Sequence, residues 1–323
     1  MIDVISAVTA DPIAMREAYA ETLLHLAEEN PRVVDLEADL GASVSMNGFA
    51  RCFPDRFFDM GIQEQNMVST AAGMAAVGLI PFAHSFGSFI TRRACDQIYL
   101  SAGYAKCPVK LVGSDPGVCG ALNGGTHQSN EDIALMRSVP NIVIVEPADT
   151  VSLQWTLINA ANDDRLFYIR LQRAENVRLY QDGKTFAFGR ANLLRPGCDV
   201  TLMCLGSLMA DETLKAAEML RNEGIEARVL DMFTVKPLDT EAVLAAARET
   251  GAIVAVENHS IIGGLGSAVA ETLAEAGAGV PFARIGIRDR VGEVGTSAEL
   301  RTVMGMTSAD IYAAAKNAIS QKR

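Results

Sequence analysis

The stretch 61–66 (Gly-Ile-Gln-Glu-Gln-Asn) places an acidic side chain, Glu64, at the point where a predicted strand turns into a predicted helix. Residues 56–60 before it have the pattern of a strand, and the small residues of 67–77 after it favour a helix. Open α/β folds bind their ligands at the carboxyl ends of the strands. The position therefore suits a carboxylate that acts on a ligand, although an acid in the first turn of a helix often serves only the helix dipole.

Two phenylalanines follow a predicted strand, and a histidine ends a long predicted loop. Phe86 and Phe89 have helical spacing, which is most often a core pattern, but they flank a glycine at a strand–helix turn where a flat ligand could stack. His127 ends a glycine-rich segment, residues 113–127, that predicts a long loop, and such loops are usually functional. His127 is thus a candidate acid/base or substrate ligand, with capping of the following helix as an equal alternative.

Three arginines, Arg16, Arg170 and Arg173, could bind a small phosphate through their forked donors. The composition favours the alternative that they form surface ion pairs, because the net charge is −11. The same acidity argues against nucleic acid as a partner, since binding to its phosphates needs clustered Lys and Arg.

A glycine-rich segment at residues 263–268 opens a predicted helix and resembles a dinucleotide fingerprint. It matches G-x-G-x-x-G poorly, because Val269 holds the place of the last glycine. The resemblance is therefore a weak signal, and a tight turn and close helix–strand packing explain these glycines.

The composition limits the classes of protein to which the chain can belong. With 323 residues the chain is long enough for two domains, and 49% hydrophobic against 21% charged residues fits large cores rather than disorder. The six cysteines are scattered and only four histidines exist, so we expect no metal site, no disulfides and a reducing, cytoplasmic location. We expect no signal peptide, and no membrane span, because the apolar run 67–83 contains Pro81.

Secondary-structure elements must position these candidate residues. Predicted strands and helices alternate along the chain in two successive sets. Such alternation with apolar strands predicts an α/β fold of two consecutive, open, mostly parallel sheets flanked by helices. We place one domain at residues 1–180 and a second at 190–323. We further expect a first helix opened by Asp11 and Pro12, one helix over 88–104, a loop over 115–126 and a polar linker over 173–189.

Taken together, the motifs resemble the transketolase family of thiamine diphosphate enzymes over essentially the whole chain. The matching segments are residues 38–40, 53–67, 91–98, 125–128, 131–137, 147–149, 231–239 and 257–259. The resemblance implies the pyrimidine-binding domain of that family followed by its C-terminal domain. The Gly-Asp-Gly element of the family's diphosphate-binding domain is not found in this sequence. We therefore expect a partner subunit that supplies it and that holds most of the ligands of Mg²⁺.

The resemblance also implies roles for individual residues. Glu64 matches the glutamate that bonds the aminopyrimidine ring nitrogen, in chemistry that the cofactor carries and the protein orients. The other implied cofactor-binding positions are Asp39, Ile62, Phe86 and Phe89, and none binds metal. His127 matches a residue that binds the ketose and takes part in catalysis. The implied substrate-binding positions are Arg16, Ser43, Asp115, Asn123, His127 and Arg173.

Two of these positions depart from the family. The family usually has His where this chain has Asp115, and Asp where it has Asn123. A carboxylate at Asp115 would repel a phosphate placed beside it. This departure suggests either an unusual ketose, such as a branched, deoxy or otherwise modified one, or a different arrangement of the loop. The expected substrates are sugar phosphates or modified, anionic sugars.

The expected function is thus a subunit of a transketolase that moves a two-carbon ketol unit from a ketose to an aldose. We expect a heterotetramer with the partner, or a self-dimer in isolation. The alternatives are the β subunit of a 2-oxo-acid dehydrogenase, a fragment of a 1-deoxyxylulose-phosphate synthase, a non-catalytic or regulatory subunit that keeps the fold, and a nicotinamide-binding protein.

Overall fold

A computed structural model describes residues 4–173 and 176–322. Its strands are β1 Val4–Ala10, β2 Val33–Glu37, β3 Phe57–Asp59, β4 Ile80–Phe86, β5 Lys110–Ser114, β6 Val143–Val145, β7 Phe167–Leu171, β8 Val177–Tyr180, β9 Asn192–Arg195, β10 Val200–Cys204, β11 Ala227–Asp231, β12 Thr234–Lys236, β13 Ile253–Ser260 and β14 Phe282–Ile287. Its α-helices are α1 Met15–Glu29, α2 Asn47–Cys52, α3 Glu64–Ala76, α4 Gly87–Arg93, α5 Cys95–Gln97, α6 Asp132–Arg137, α7 Thr150–Ala161, α8 Gly206–Arg221, α9 Thr240–Glu249, α10 Leu265–Glu275, α11 Ser297–Met304 and α12 Ser308–Ser320.

The strands form two main sheets and one small sheet. The first has the order β12-β6-β7-β5-β4-β2-β3, and all its neighbours are parallel except β12 and β6. The second has the order β14-β13-β10-β11-β9, and only β9 is antiparallel to its neighbour. Strands β1 and β8 form the third sheet. The predicted fold class, an α/β protein with two mostly parallel sheets flanked by helices, is confirmed.

The central strands are buried because helices cover both faces of the parallel sheets. Every residue of β2, β4, β5 and β7 is buried. Helix α3 buries Met67, Val68, Ala71 and Ala75, which recur at helical spacing on one face. Because successive parallel strands of the first sheet end at one edge, the sheet brings the segments after β2, β3, β4, β5 and β7 together there.

Three local predictions in the first half were wrong. Helix α1 begins at Met15 after Ala14, while Asp11 accepts a hydrogen bond from the Thr150 hydroxyl at 2.6 Å instead of capping the helix. The predicted helix 88–104 breaks at Ala94, whose backbone leaves the helical region, and residues 98–104 form a π-helix. The predicted loop 115–126 contains a 3₁₀ segment, Gly117–Asn123.

The predicted linker over 173–189 was also wrong in part, since it contains strand β8. The Asp149 carboxylate accepts hydrogen bonds from the backbone N–H groups of Leu179 (3.1 Å) and Tyr180 (2.8 Å), and β1 pairs with the strand. Residues 174–175 of this segment lie outside the described residues, as do residues 1–3 of the N-terminal segment. The short strands β9 and β12 were not predicted, and β12 pairs with β6 of the first sheet.

Within the part of the chain that the structure describes, no helix is long and apolar enough to cross a membrane.

Candidate active site

The turn between β3 and α3 fixes the position of Glu64. The Asp59 carboxylate accepts hydrogen bonds from the backbone N–H of Gly61 at 2.9 Å and from that of Asp39 at 3.0 Å. Gly61 has a positive φ of 69°, which glycine adopts without strain. Asp59 therefore holds together the two loops that carry Asp39 and Glu64, a role that sequence reasoning missed although the Asp-x-Gly spacing is typical of such turns.

The Glu64 side chain is buried but remains tied to a cation and a hydroxyl. The Ser85 hydroxyl donates a hydrogen bond to Oε1 at 3.0 Å, and Arg93 Nη1 lies 3.0 Å from Oε1 and 3.1 Å from Oε2. Arg93 is itself stacked over the Phe89 ring at 4.0 Å. The carboxylate is thus held in one orientation at the end of β3, next to an aromatic surface.

Phe86, Phe89 and His127 form an aromatic cluster beside that carboxylate. The ring centroids of the two phenylalanines are 5.8 Å apart, and His127 lies 5.6 Å from Phe86 and 5.0 Å from Phe89, all edge to face. The Nδ1 atom of His127 is 3.0 Å from the Thr126 hydroxyl, so the structure does not use the imidazole to cap α6. The three predicted residues therefore lie together.

The loop that carries His127 is fastened to α4. The Ser88 hydroxyl donates to the His127 carbonyl at 3.2 Å, and Arg92 Nη2 donates to the Thr126 carbonyl at 3.1 Å. The same helix begins directly after Phe86. One short helix therefore sets the distance between His127 and the two phenylalanines.

A pocket of about 270 Å³ adjoins the aromatic cluster. Arg173 connects the two, because its guanidinium lies 5.1 Å from the centre of the Phe86 ring. The pocket is lined by Arg16, Asp115, Cys119, Ala121, Leu122, Gln172, Arg173, Thr296 and Ser297. Three of the six predicted substrate-binding residues, Arg16, Asp115 and Arg173, thus line one cavity.

The remaining predicted residues lie around this edge without lining the pocket. Asp39 and Asn123 are exposed, and Ile62 has 65% of its surface accessible. The Ser43 hydroxyl donates to the Leu40 carbonyl at 2.7 Å, in the 3₁₀ turn after β2. The roles that the resemblance implies for these residues and for Glu64 and His127 remain predictions.

Arg170 does not bind a phosphate, contrary to one sequence-based interpretation, and its ion pairs are buried rather than on the surface. Its Nε donates to Asp132 Oδ2 at 2.7 Å, its Nη1 binds Glu146, and its Nη2 donates to the Asn258 carbonyl at 3.1 Å. The Tyr168 hydroxyl also donates to Asp132 at 2.6 Å. We call Asp132, Glu146, Tyr168 and Arg170 the buried ion cluster. It joins the first sheet to β13 of the second.

Sequence reasoning missed the contribution of the second half of the chain to the site. The Asn258 side chain accepts a hydrogen bond from the Val118 N–H at 2.9 Å and donates one to the Pro116 carbonyl at 2.8 Å, which fixes the 3₁₀ segment. Thr296 and Ser297 complete the pocket wall. The only signal for Asn258 was its place in a motif that matched the family, and Thr296 and Ser297 carried none.

His84 lies beneath this edge of the sheet. Its Nδ1 is 2.7 Å from Glu37 Oε2, and its Nε2 is 2.9 Å from the Ser114 hydroxyl. Burial lowers the pKa of His84 to about 3, and burial raises the pKa of the Glu37 carboxyl. The folded protein therefore keeps the imidazole neutral directly behind Asp115, the residue that follows Ser114.

We expect the free energy of unfolding of the His84→Asn variant to fall less steeply with decreasing pH than that of the wild type. The unfolded chain binds a proton at this histidine near pH 6.5, so the neutral folded form loses stability as the pH falls from about 6.5 toward 3. The stability advantage of the wild type over the variant should shrink by up to about 1.4 kcal/mol per pH unit in that window. Urea unfolding at a series of pH values measures it. The exposed His25→Asn is the control, and parallel curves for wild type and His84→Asn would contradict the expectation.

The dinucleotide alternative at residues 263–268 is excluded by the structure. The Glu257 carboxylate accepts hydrogen bonds from the backbone N–H groups of Leu265 (2.7 Å) and Gly266 (2.9 Å) at the start of α10. A pyrophosphate would need these same donors. A Cβ at Gly264 would lie 1.9 Å from Glu257, so the glycine is required by this close packing.

The donor set at Glu64 fits the pyrimidine half of thiamine diphosphate. A buried carboxylate with an oriented oxygen lies next to two phenylalanine rings and the exposed Ile62, which suits a flat heteroaromatic ring with a polar nitrogen. Among the described residues, no group of three or more His, Cys, Asp or Glu side chains could hold a metal ion. The residues around Glu64 thus fit the pyrimidine ring of the cofactor.

Comparisons with known proteins find relatives that match this chain over most of its length. The family described as "Transketolase, pyrimidine binding domain" matches residues 11–177, and "Transketolase, C-terminal domain" matches residues 189–311. The chain is 46% identical to the 6-deoxy-6-sulfo-D-fructose transketolase subunit SqwH of Clostridium sp. (strain MSTE9), over 95% of each chain. It is 37% identical to one subunit of the apulose-4-phosphate transketolase of Phocaeicola vulgatus, over 91% of this chain and 94% of that one. A solved structure titled "Split gene transketolase, inactive beta4 tetramer" is 42% identical and superimposes with a TM-score of 0.88 over 97% of this chain and all of that chain.

Proposed function

This chain belongs to the transketolase family, and we propose that it is one subunit of a split, thiamine diphosphate-dependent transketolase. The observation that carries the proposal is the Glu64 carboxylate, buried and held by Ser85 and Arg93 beside the aromatic cluster. Two relatives of similar length are named as transketolase subunits, which supports a separate partner. In the proposal, residues 1–180 bind the pyrimidine and residues 190–323 form the C-terminal domain.

We propose that this chain orients the cofactor while a partner subunit holds its diphosphate and Mg²⁺. When bound, thiamine diphosphate supplies the nucleophilic carbon that breaks and remakes the carbon–carbon bond of a ketose. Glu64 would hold a proton between its carboxylate and the aminopyrimidine nitrogen, and Ser85 and Arg93 would keep that carboxylate in place. Phe86 and Phe89 would exclude water from one face of the ring, with Asp39 and Ile62 at its edge.

The proposed substrates are a ketose donor and an aldose acceptor that carry an anionic group. His127 would contact the hydroxyls of the ketose beside the reacting carbon, because its ring packs against Phe86, and Phe86 in turn lies 5.1 Å from the pocket residue Arg173. Arg16 and Arg173 would bind the anionic end in the pocket. Ser43 and Asn123 would contribute from the neighbouring loops.

We propose a cytoplasmic enzyme that is a heterotetramer with its partner and a self-dimer or larger self-assembly when alone. The related solved structure is titled an inactive β₄ tetramer, which supports self-assembly of this type of subunit. The scattered, free cysteines support a reducing compartment.

Isolation of the protein from its native cells tests the partnership. We expect a second chain of about the size of one large domain to co-purify with it, and we expect the pair to need thiamine diphosphate and a divalent cation. A self-sufficient homo-oligomer that turns over ketoses would contradict the split. Decarboxylation of a 2-oxo acid by the pair, without ketol transfer, would favour the dehydrogenase alternative instead.

A further inference from the structure

The charges that line the substrate pocket do not match a phosphate. Among the lining residues that the structure describes, Arg16 and Arg173 contribute two positive charges and Asp115 contributes one negative charge, which gives a sum of +1. Asp115 is only 3% exposed and therefore cannot turn away into solvent. A phosphate monoester carries nearly two negative charges at pH 7.

Both the backbone and the side chain of Asp115 fix its position beside Arg173. Arg173 Nε donates to Oδ1 at 2.8 Å, and Arg173 Nη2 lies 2.5 Å from Oδ2, a bidentate pairing. The residue has a positive φ of 56°, and its N–H donates to the Leu171 carbonyl at 3.0 Å. A non-glycine residue in this conformation is uncommon and is kept there by its surroundings. The carboxylate is thus a fixed part of the pocket wall.

Arg16 lies against the same wall. Its backbone N–H donates to the Arg173 carbonyl at 3.4 Å, which keeps the two cations in one cavity. Thr296 and Ser297 also line the pocket at the start of α11, where the Thr296 hydroxyl donates to the Glu299 carboxylate at 2.9 Å. Among its described residues, the pocket therefore offers one cation that is paired with a carboxylate and one that is not, together with the Ser297 hydroxyl.

We propose that this pocket selects a monoanionic tetrahedral group, a sulfonate rather than a phosphate, and that Asp115 is the residue that makes the selection. A sulfonate has a single negative charge at every physiological pH and so matches the +1 wall. A phosphate dianion places its second charge beside the Asp115 carboxylate, which is unfavourable because that carboxylate is fixed and desolvated. The inference rests on the proposed function, but every pocket residue that it uses belongs to this chain.

The test uses two small probes of matched shape, 2,3-dihydroxypropane-1-sulfonate and glycerol 3-phosphate, in calorimetric titrations of the isolated chain. At pH 8 we expect the sulfonate to bind at least about tenfold more tightly than the phosphate ester. At pH 5.5 the phosphate ester has become mostly a monoanion, because its second pKa is about 6. Its affinity should then approach that of the sulfonate, whose own affinity should not change.

The Asp115→Asn variant gives the decisive comparison. At pH 8 it should bind glycerol 3-phosphate at least about tenfold more tightly than the wild type does and lose the preference for the sulfonate. Asp55→Asn, at an exposed acid that does not line the pocket, should leave both affinities unchanged. Asp115→Asn is close in shape, and its unfolding midpoint shows whether the fold is intact.

Two results would overturn the inference: tighter binding of the phosphate dianion by the wild type at pH 8, or an equal loss of both probes in a folded Asp115→Asn protein. Neither result bears on ketol transfer. Conversely, if the assembled pair transfers no ketol unit but the isolated chain prefers the sulfonate, the proposed function fails and the charge selection stands.

Discussion

The Glu64→Gln variant, assembled with its partner, should transfer ketol units about 10²- to 10⁴-fold more slowly than the wild type, the range expected when a general acid–base group is removed. The glutamine amide preserves the size of the side chain and can still accept a hydrogen bond from Ser85. It cannot hold the proton that the carboxylate would exchange with the aminopyrimidine nitrogen. The rate of two-carbon transfer at saturating cofactor measures the effect.

The matched control is Glu21→Gln, at an exposed acid on α1 that faces solvent. It should leave the rate unchanged. The unfolding midpoint of Glu64→Gln should stay close to that of the wild type, because its partner Arg93 is 44% exposed and the pair is screened by water. A Glu64→Gln protein that keeps full ketol transfer would show that this carboxylate has no catalytic role.

The Arg170→Met variant should lower the free energy of unfolding by about 3–5 kcal/mol, the cost of removing one partner from a buried ion pair. Methionine fills much of the volume but leaves Asp132 and Glu146 as buried carboxylates without their cation. Burial already raises the pKa of Glu146 to about 7, so its charged form depends on Arg170. Urea unfolding at pH 8 measures the loss.

The control is Arg190→Met, because the Arg190 side chain is 60% exposed and binds the exposed Glu241, with Asp239 3.7 Å away. Its unfolding midpoint should not change. We also expect Arg170→Met to make the pocket wall less rigid. Arg170 donates a hydrogen bond to the carbonyl of Asn258, and the Asn258 side chain fixes residues 116–118. An Arg170→Met protein as stable as Arg190→Met would mean that the buried ion cluster does not stabilise the fold.

Much of the fold could be predicted because its signals are local. The turn before Glu64 follows from a strand, a glycine and a run of small residues, all within about 20 positions. The parallel order of the central strands follows from the repeated alternation with helices. Among the strands that were missed, β8 and β12 are short and pair with strands far away in the chain, β1 and β6.

The site was predictable only where a single segment carries its chemistry. Glu64, Phe86 and Phe89 were proposed because they follow strand ends, and His127 was proposed because it ends a glycine-rich loop. The pairing of Asp115 with Arg173 joins residues 58 positions apart, so the sequence indicated two phosphate-binding arginines but not that one is neutralised. The burial of Arg170 was likewise invisible, because charge and spacing do not reveal which face of a fully buried strand meets the second domain.

The central claim is that this chain holds only part of an active site, and the most direct test is a two-carbon transfer assay with and without its partner. The chain purified alone, with thiamine diphosphate and Mg²⁺, should show no transfer from a ketose to an aldose. Addition of the partner that co-purifies with it should produce transfer that depends on the cofactor. Full activity of the chain alone, or no activity of the complete pair with any anionic ketose, would contradict the account.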